Sequence, residues 1–243
     1  MTPDFITVIE AESTPKGGVV LLQEAFGVNQ HLLDVGRRLA AAGWTSAIPH
    51  LYHRSGSPTF AYDVAYGDGV DGRDPAAEQA AAQEIGPHAL QLTGQTVADD
   101  LDSAIEELGR RGFVPSRVGA IGFCFGGSVA LYAAATRPLG ASIVFYGASI
   151  STPHFGVPAF VDIAADRRTP LLALYGELDQ WVPASDVAVL REAIQKGQGP
   201  GELIVYPGAE HGFNCDLRAT YHEPSATDAW QRTLDWLERY AGA

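Results

Sequence analysis

Lysine is nearly missing from this chain. Lys16 and Lys196 are the only two, and 16 basic against 29 acidic side chains leave a formal net charge of -13. Such a surface repels nucleic acid and anionic membranes, and no cluster of basic residues reverses the sign locally. Cysteine is equally scarce. Cys124 and Cys215 are too few for a disulfide scaffold, and no Cys/His spacing suggests zinc, so no metal is expected. No stretch approaches the roughly 20 apolar residues of a membrane span, and Met1 to Glu10 lacks the basic start and apolar middle of a secretion signal. These absences lead to the expectation of a cytoplasmic protein that acts on small molecules, without nucleic-acid or membrane partners, as a monomer or small homo-oligomer. What remains, 243 residues with 46% hydrophobic and 19% charged, suits one α/β domain spanning 1–243.

The most informative stretch is Arg117 to Ala135, RVGAIGFCFGGSVALYAAA. Arg117 to Phe123 is a short apolar run of the kind found in a strand buried on both faces. From Gly126 onward small and helix-favouring residues recur at helical spacing. Gly122, Cys124 and Gly126 match a Gly-x-nucleophile-x-Gly turn with cysteine in the central place. The helix that follows directs unpaired N–H groups and the positive end of its dipole at the sulfur, which favours thiolate. The N–H of Phe125 is a candidate oxyanion donor. An isolated cysteine would read as a packed side chain; Gly122, Gly126 and Gly127 favour a nucleophile.

Around this stretch, strands are predicted at Phe5 to Glu10, Gly18 to Leu22, Trp44 to Ile48, Ala141 to Tyr146, Pro170 to Tyr175 and Glu202 to Tyr206. Helices are predicted at about Gln30 to Ala42 with Asn29 as cap, Pro75 to Ile85, Gln95 to Arg111, Pro183 to about Gln195, and Ala226 to Tyr240 with Trp230, Leu234 and Leu237 inward. The long segment from Pro49 to Gly72 carries Tyr52, Phe60, Tyr62 and Tyr66 and reads as a pocket wall. Alternating strands and helices imply a mostly parallel sheet covered on both faces, with its site at the carboxyl ends of the strands.

Glu24, Cys124, Asp179 and His211 each lie just past a predicted strand. A thiol that attacks a carbonyl needs a base, and the imidazole needs an orienting carboxylate. The chain order Cys124, Asp179, His211 is that of an α/β-hydrolase sheet. Glu177 is the rival acid and His222 the fallback base. Glu24 is less ordinary, because a carboxylate near an oxyanion site opposes the developing charge; its plain alternative is a strand-end carboxylate satisfied by backbone donors.

Taken together, Gln23-Glu24-Ala25-Phe26-Gly27-Val28-Asn29, Gly122 to Gly127, Gly176 to Asp179 and His211-Gly212-Phe213 resemble the dienelactone hydrolase family over nearly the whole chain. The resemblance implies an α/β-hydrolase fold, a Cys124/His211/Asp179 triad and no cofactor. It implies that Glu24 holds the resting thiol and takes up its proton when substrate displaces it, and that the N–H groups of Ala25 and Phe125 form the oxyanion hole. The family's substrate-clamping arginine falls on Cys215, four residues after His211, and its second arginine falls among Ala80 to Ala82. Tyr52, Arg73, Cys215 and Arg218 are therefore the candidate substrate contacts. The expected activity is thiol-dependent cleavage of a carboxylic ester or lactone through a cysteinyl thioester. A redox-sensing or non-hydrolytic protein, with Cys124 and Cys215 pairing on oxidation, and a thioesterase are the alternatives.

Overall fold

The computed structural model describes residues 2–60 and 75–242. Its sheet has seven strands, β1 (Ile6–Ile9), β2 (Gly17–Leu22), β3 (Trp44–Pro49), β4 (Val118–Phe123), β5 (Ala141–Phe145), β6 (Leu171–Gly176) and β7 (Gly201–Tyr206). They lie in the order β1-β3-β2-β4-β5-β6-β7. β1 runs antiparallel to β3, and the other neighbours pair in parallel. Parallel neighbours need crossovers. The helices that provide or flank them are α1 (Gln30–Ala41), α2 (Pro75–Ala89), α3 (Gly94–Arg110), α4 (Phe125–Thr136), the single turn α5 (Phe160–Ile163), α6 (Ala184–Lys196) and α7 (Glu223–Tyr240).

Strand side chains alternate between faces, so each central strand feeds two cores. Val20 and Leu22 of β2 enter one core with Leu101 and Leu108 of α3 and Val129 and Ala133 of α4. Val19 and Leu21 enter the other with Leu32, Val35 and Leu39 of α1 and Ala229, Trp236 and Leu237 of α7. Burial on both faces explains why these strands read as unbroken apolar runs. Each fully buried aliphatic side chain of α1 contributes about 1.5–3 kcal/mol of transfer free energy.

Local chemistry sets most element ends. Asn29 caps α1, its Oδ1 accepting from the N–H of Leu32 at 3.2 Å. Thr93 and Thr96 form a reciprocal capping box at the start of α3. Several predicted boundaries shift. α2 runs on past Pro87, because Ile85 and Ala89 on either side of it are buried in the first core and hold the last turn. Pro183 is the cap residue of α6, with the helix starting at Ala184. α7 begins at Glu223 with Pro224 in its first turn, where a missing N–H costs nothing.

The fully buried stripe of α7 is Ser225, Ala226, Ala229, Thr233, Trp236 and Leu237. Leu237 faces inward as predicted, and Trp230 and Leu234 pack half-buried against the second core. The outer side of Trp230 is covered by the guanidinium of Arg38, 3.8 Å from its ring centre. Among the described residues, no helix is long and apolar enough to cross a membrane.

Candidate active site

The bend after β4 is built from backbone contacts that admit no side chain. A Cβ at Gly122 would lie 1.9 Å from the carbonyl oxygen of Gly126, and one at Gly126 would lie 2.3 Å from that of Leu22. A Cβ at Gly127 would lie 2.7 Å from the Cα of Gly147. Glycine at these places lets α4 start hard against the ends of β2 and β5. Between them Cys124 is held at φ 53° and ψ -114°, a conformation that a residue with a side chain adopts only when its surroundings force it. Cys124 is partly exposed, and Phe125 is the first residue of α4, so its N–H is among the donors a helix start leaves unpaired.

Asp179 lies three residues past β6 and His211 five past β7. Nδ1–H of His211 donates to Oδ2 of Asp179 at 2.9 Å, with both side chains buried. Oδ1 of Asp179 accepts from the backbone N–H groups of Trp181 at 2.8 Å and Val182 at 3.0 Å, which fixes the carboxylate's orientation. Burial alone would push the imidazole's pKa down; the negative charge of the nearby Cys124 sulfur, the Asp179 carboxylate and the hydrogen bond to that carboxylate outweigh burial and raise it to about 10. The rivals are engaged elsewhere. Glu177 accepts from the N–H of Gly208 at 3.0 Å, and Nδ1 of His222 pairs with the Ser225 hydroxyl at 2.7 Å.

Glu24 follows β2 and is 2% exposed at its side chain, as is Arg218, whose Nη2 donates to Glu24 Oε2 at 3.0 Å. Arg218, expected among the substrate contacts, is thus brought back to the site but engaged with Glu24, over the Phe26 ring at 5.1 Å. Gly212 makes room for it, since a Cβ there would lie 2.2 Å from Arg218 Nη1. Ala25 is half-buried beside Glu24.

Two further expectations about the substrate contacts need correction. Cys215 does not line an open pocket: it is wholly buried, next to His31 and Asp216. Tyr52 is also almost wholly buried, and its hydroxyl finds no hydrogen-bond partner among the described residues. Desolvation, and then the nearby charge of Cys124, push its phenol above the ordinary range. Arg73, Tyr62 and Tyr66 lie outside the described residues. Both cysteines are thiols rather than halves of a disulfide.

Several neighbours were not singled out from sequence. Tyr146, at a positive φ of 42° just past β5, packs its ring 4.9 Å from that of His211. Trp181 is 50% exposed with its ring 6.3 Å from the same imidazole. Gln23 accepts from the N–H of Leu51 at 3.0 Å, tying the end of β2 to the turn that carries Tyr52. Tyr146 had a visible mark, since it follows a strand end just as Cys124 does.

A buried sheet with a thiol on a bend between strand and helix, an imidazole from the last loop and a carboxylate from the loop before it define an α/β-hydrolase. Comparison narrows the class. The model of the dienelactone hydrolase family matches residues 6–241. A protein of Salmonella typhimurium with the provisional name carboxymethylenebutenolidase is 36% identical over 226 residues, covering 92% of this chain and 77% of the relative. One with the same provisional name from Methylorubrum extorquens is 32% identical, covering 96% and 75%. A crystal structure from Klebsiella pneumoniae, provisionally described as a dienelactone hydrolase, superposes with a TM-score of 0.78 at 32% identity and covers 97% of this chain and 99% of its own. The chain belongs to the dienelactone hydrolase family and is an ester or lactone hydrolase.

Proposed function

We propose that the enzyme cleaves its ester or lactone through a thioester on Cys124. The observation that carries this reading is the buried His211–Asp179 hydrogen bond, with its imidazole in the field of a sulfur placed at the start of α4. The Cys124 thiolate attacks the substrate carbonyl carbon, and the N–H groups of Phe125 and Ala25 receive the oxyanion. As the tetrahedral intermediate collapses, the carbon–oxygen bond breaks and imidazolium gives its proton to the departing alkoxide. The neutral ring then takes a proton from water, hydroxide adds to the thioester, and thiolate leaves with the acid product released.

Glu24 fits this scheme as the residue that holds the resting thiol, and Arg218 removes the objection to a carboxylate near the oxyanion. The guanidinium offsets a charge that would otherwise oppose the transition state. Trp181, half-exposed beside His211, offers an apolar edge suited to a partly apolar substrate. With Cys215 in the place of one carboxylate clamp and Arg218 engaged by Glu24, a substrate without a free carboxylate is favoured.

Acid-quenching the enzyme during turnover of a small aryl ester should trap one acyl group on Cys124, visible as a mass increase of the intact chain and located by peptide mapping. An acyl group found on another residue, or none under burst conditions, would remove the thioester from the mechanism. Replacing Glu24 by Gln should move the pH profile of Cys124 alkylation to lower pH, because a negative charge beside the thiolate is lost while Arg218 stays. A superimposable profile would leave Glu24 a structural carboxylate.

A further inference from the structure

Close to the Glu24–Arg218 pair, whose two charges both act on its ring, His31 at the start of α1 meets Cys215 and Asp216 of the loop after β7. One ring nitrogen of His31, Sγ of Cys215 and one carboxylate oxygen of Asp216 all lie within 4.8 Å of one another. We propose that these three residues bind a divalent transition-metal ion of the zinc type, reached from solvent through the cavity that Asp216 lines. This site is separate from the chemistry at Cys124 and does not depend on it.

Four observations support the site. The donor set is a thiol, an imidazole and a carboxylate, the soft-to-borderline combination that selects zinc-like ions over calcium or magnesium. The Nε2 atom of His31 is buried without a hydrogen-bond partner among the described residues, unusual for a polar atom at about 3% residue exposure. Asn214 is a second such case: it is 3% exposed, and both ends of its amide lack partners among the described residues. It lines the same cavity, of about 380 Å³, with Arg38, Asp216, Tyr221 and Trp230. An amide in that place can hold a water on the fourth, open position of a tetrahedral ion.

The geometry needs a modest contraction. Zinc bonds of about 2.0–2.3 Å put neighbouring donors roughly 3.3–3.8 Å apart. Asp216 is exposed and can close the difference, whereas His31 and Cys215 are fixed by burial. On binding, the Cys215 thiol gives its proton to solvent and the thiolate enters the coordination shell. Charge balance is tolerable: Arg218 is neutralised by Glu24, and Arg38 stacks on Trp230. Held this way, an ion clasps α1 to the loop that carries both His211 and Arg218. Sequence spacing hides the site because its histidine and cysteine stand far apart in the chain.

The test uses the full chain carrying Cys124→Ala, so that the catalytic thiol contributes no ligand, and Co2+ as a coloured stand-in for Zn2+. One equivalent should bind with a thiolate-to-cobalt charge-transfer band, release a proton, and be displaced by Zn2+. The band should vanish when Cys215→Ser is added. Because that change is in a buried position, Asp216→Asn provides an exposed control that leaves the fold intact. Outer-shell partners alone change metal affinity by about 10–100-fold, so loss of this ligand should weaken Co2+ by at least about tenfold. No charge-transfer band in the Cys124→Ala chain, a band that survives Cys215→Ser, or unchanged affinity in Asp216→Asn would each overturn the site.

Discussion

Replacing Cys124 by Ala should lower kcat/KM for a small aryl ester by at least about 10³-fold while leaving the melting temperature close to that of the parent. The large kinetic effect follows from placement. Gly122, Gly126 and Gly127 leave room for nothing but the backbone of the bend, and the only side chain it delivers to the imidazole is the sulfur of residue 124. The methyl group of alanine cannot form the thioester, and what remains is water oriented by His211. The small stability effect follows because Cys124 is partly exposed and the contacts that fix its strained backbone are main-chain ones, such as its N–H to the carbonyl of Phe145 at 3.0 Å. Activity surviving at more than a tenth of the parent value would move the chemistry to another group.

Asp179→Asn should be nearly as damaging, by about 10³–10⁴-fold in kcat, for a reason visible in its hydrogen bonds. The N–H groups of Trp181 and Val182 both demand an acceptor at one side-chain oxygen. They will hold the amide oxygen of the substituted side chain, so its NH2 faces His211. The ring must then accept at Nδ1 and carry its proton on the nitrogen facing Cys124, the wrong tautomer for a base. The same substitution has a pH signature. Since the folded-state pKa of His211 is raised from 6.5 to about 10, the stabilisation from its charged form is complete below about pH 6.5 and is lost as pH rises through about 10. Thermal unfolding should therefore show Asp179→Asn most destabilised near pH 6 and least above pH 10. An equal loss at both ends would mean that the pair is not charged in the folded enzyme.

The elements of this site that could be read from sequence are those with local causes. The bend was legible because three glycines crowd one place in the chain, each later found against backbone at under 3 Å. The order of thiol, carboxylate and imidazole was legible because a parallel sheet delivers strand ends to one edge. Between Asp179 and its rival Glu177, the structure gives the His211 hydrogen bond to Asp179 while Glu177 ties down Gly208.

What escaped the sequence depends on long-range closure. Nothing local tells that Arg218 travels back to Glu24 across 194 positions, or that Cys215 turns away from the pocket toward His31. The cover on Trp230 escaped for a similar reason: a helical pattern marks the residue as apolar, but only the fold brings Arg38 over its ring. Tyr146 belongs to the same group, because its contact with His211 joins two strand ends that pattern alone does not pair.

The bend at Cys124 is fixed by main-chain crowding, whereas the approach to the imidazole is edged by a half-exposed side chain on a separate turn, that of Trp181. Reactivity and selectivity are thereby uncoupled in the architecture. A designer can redraw that approach for bulkier or more polar acyl groups by exchanging the one ring, and the sulfur will keep its aim.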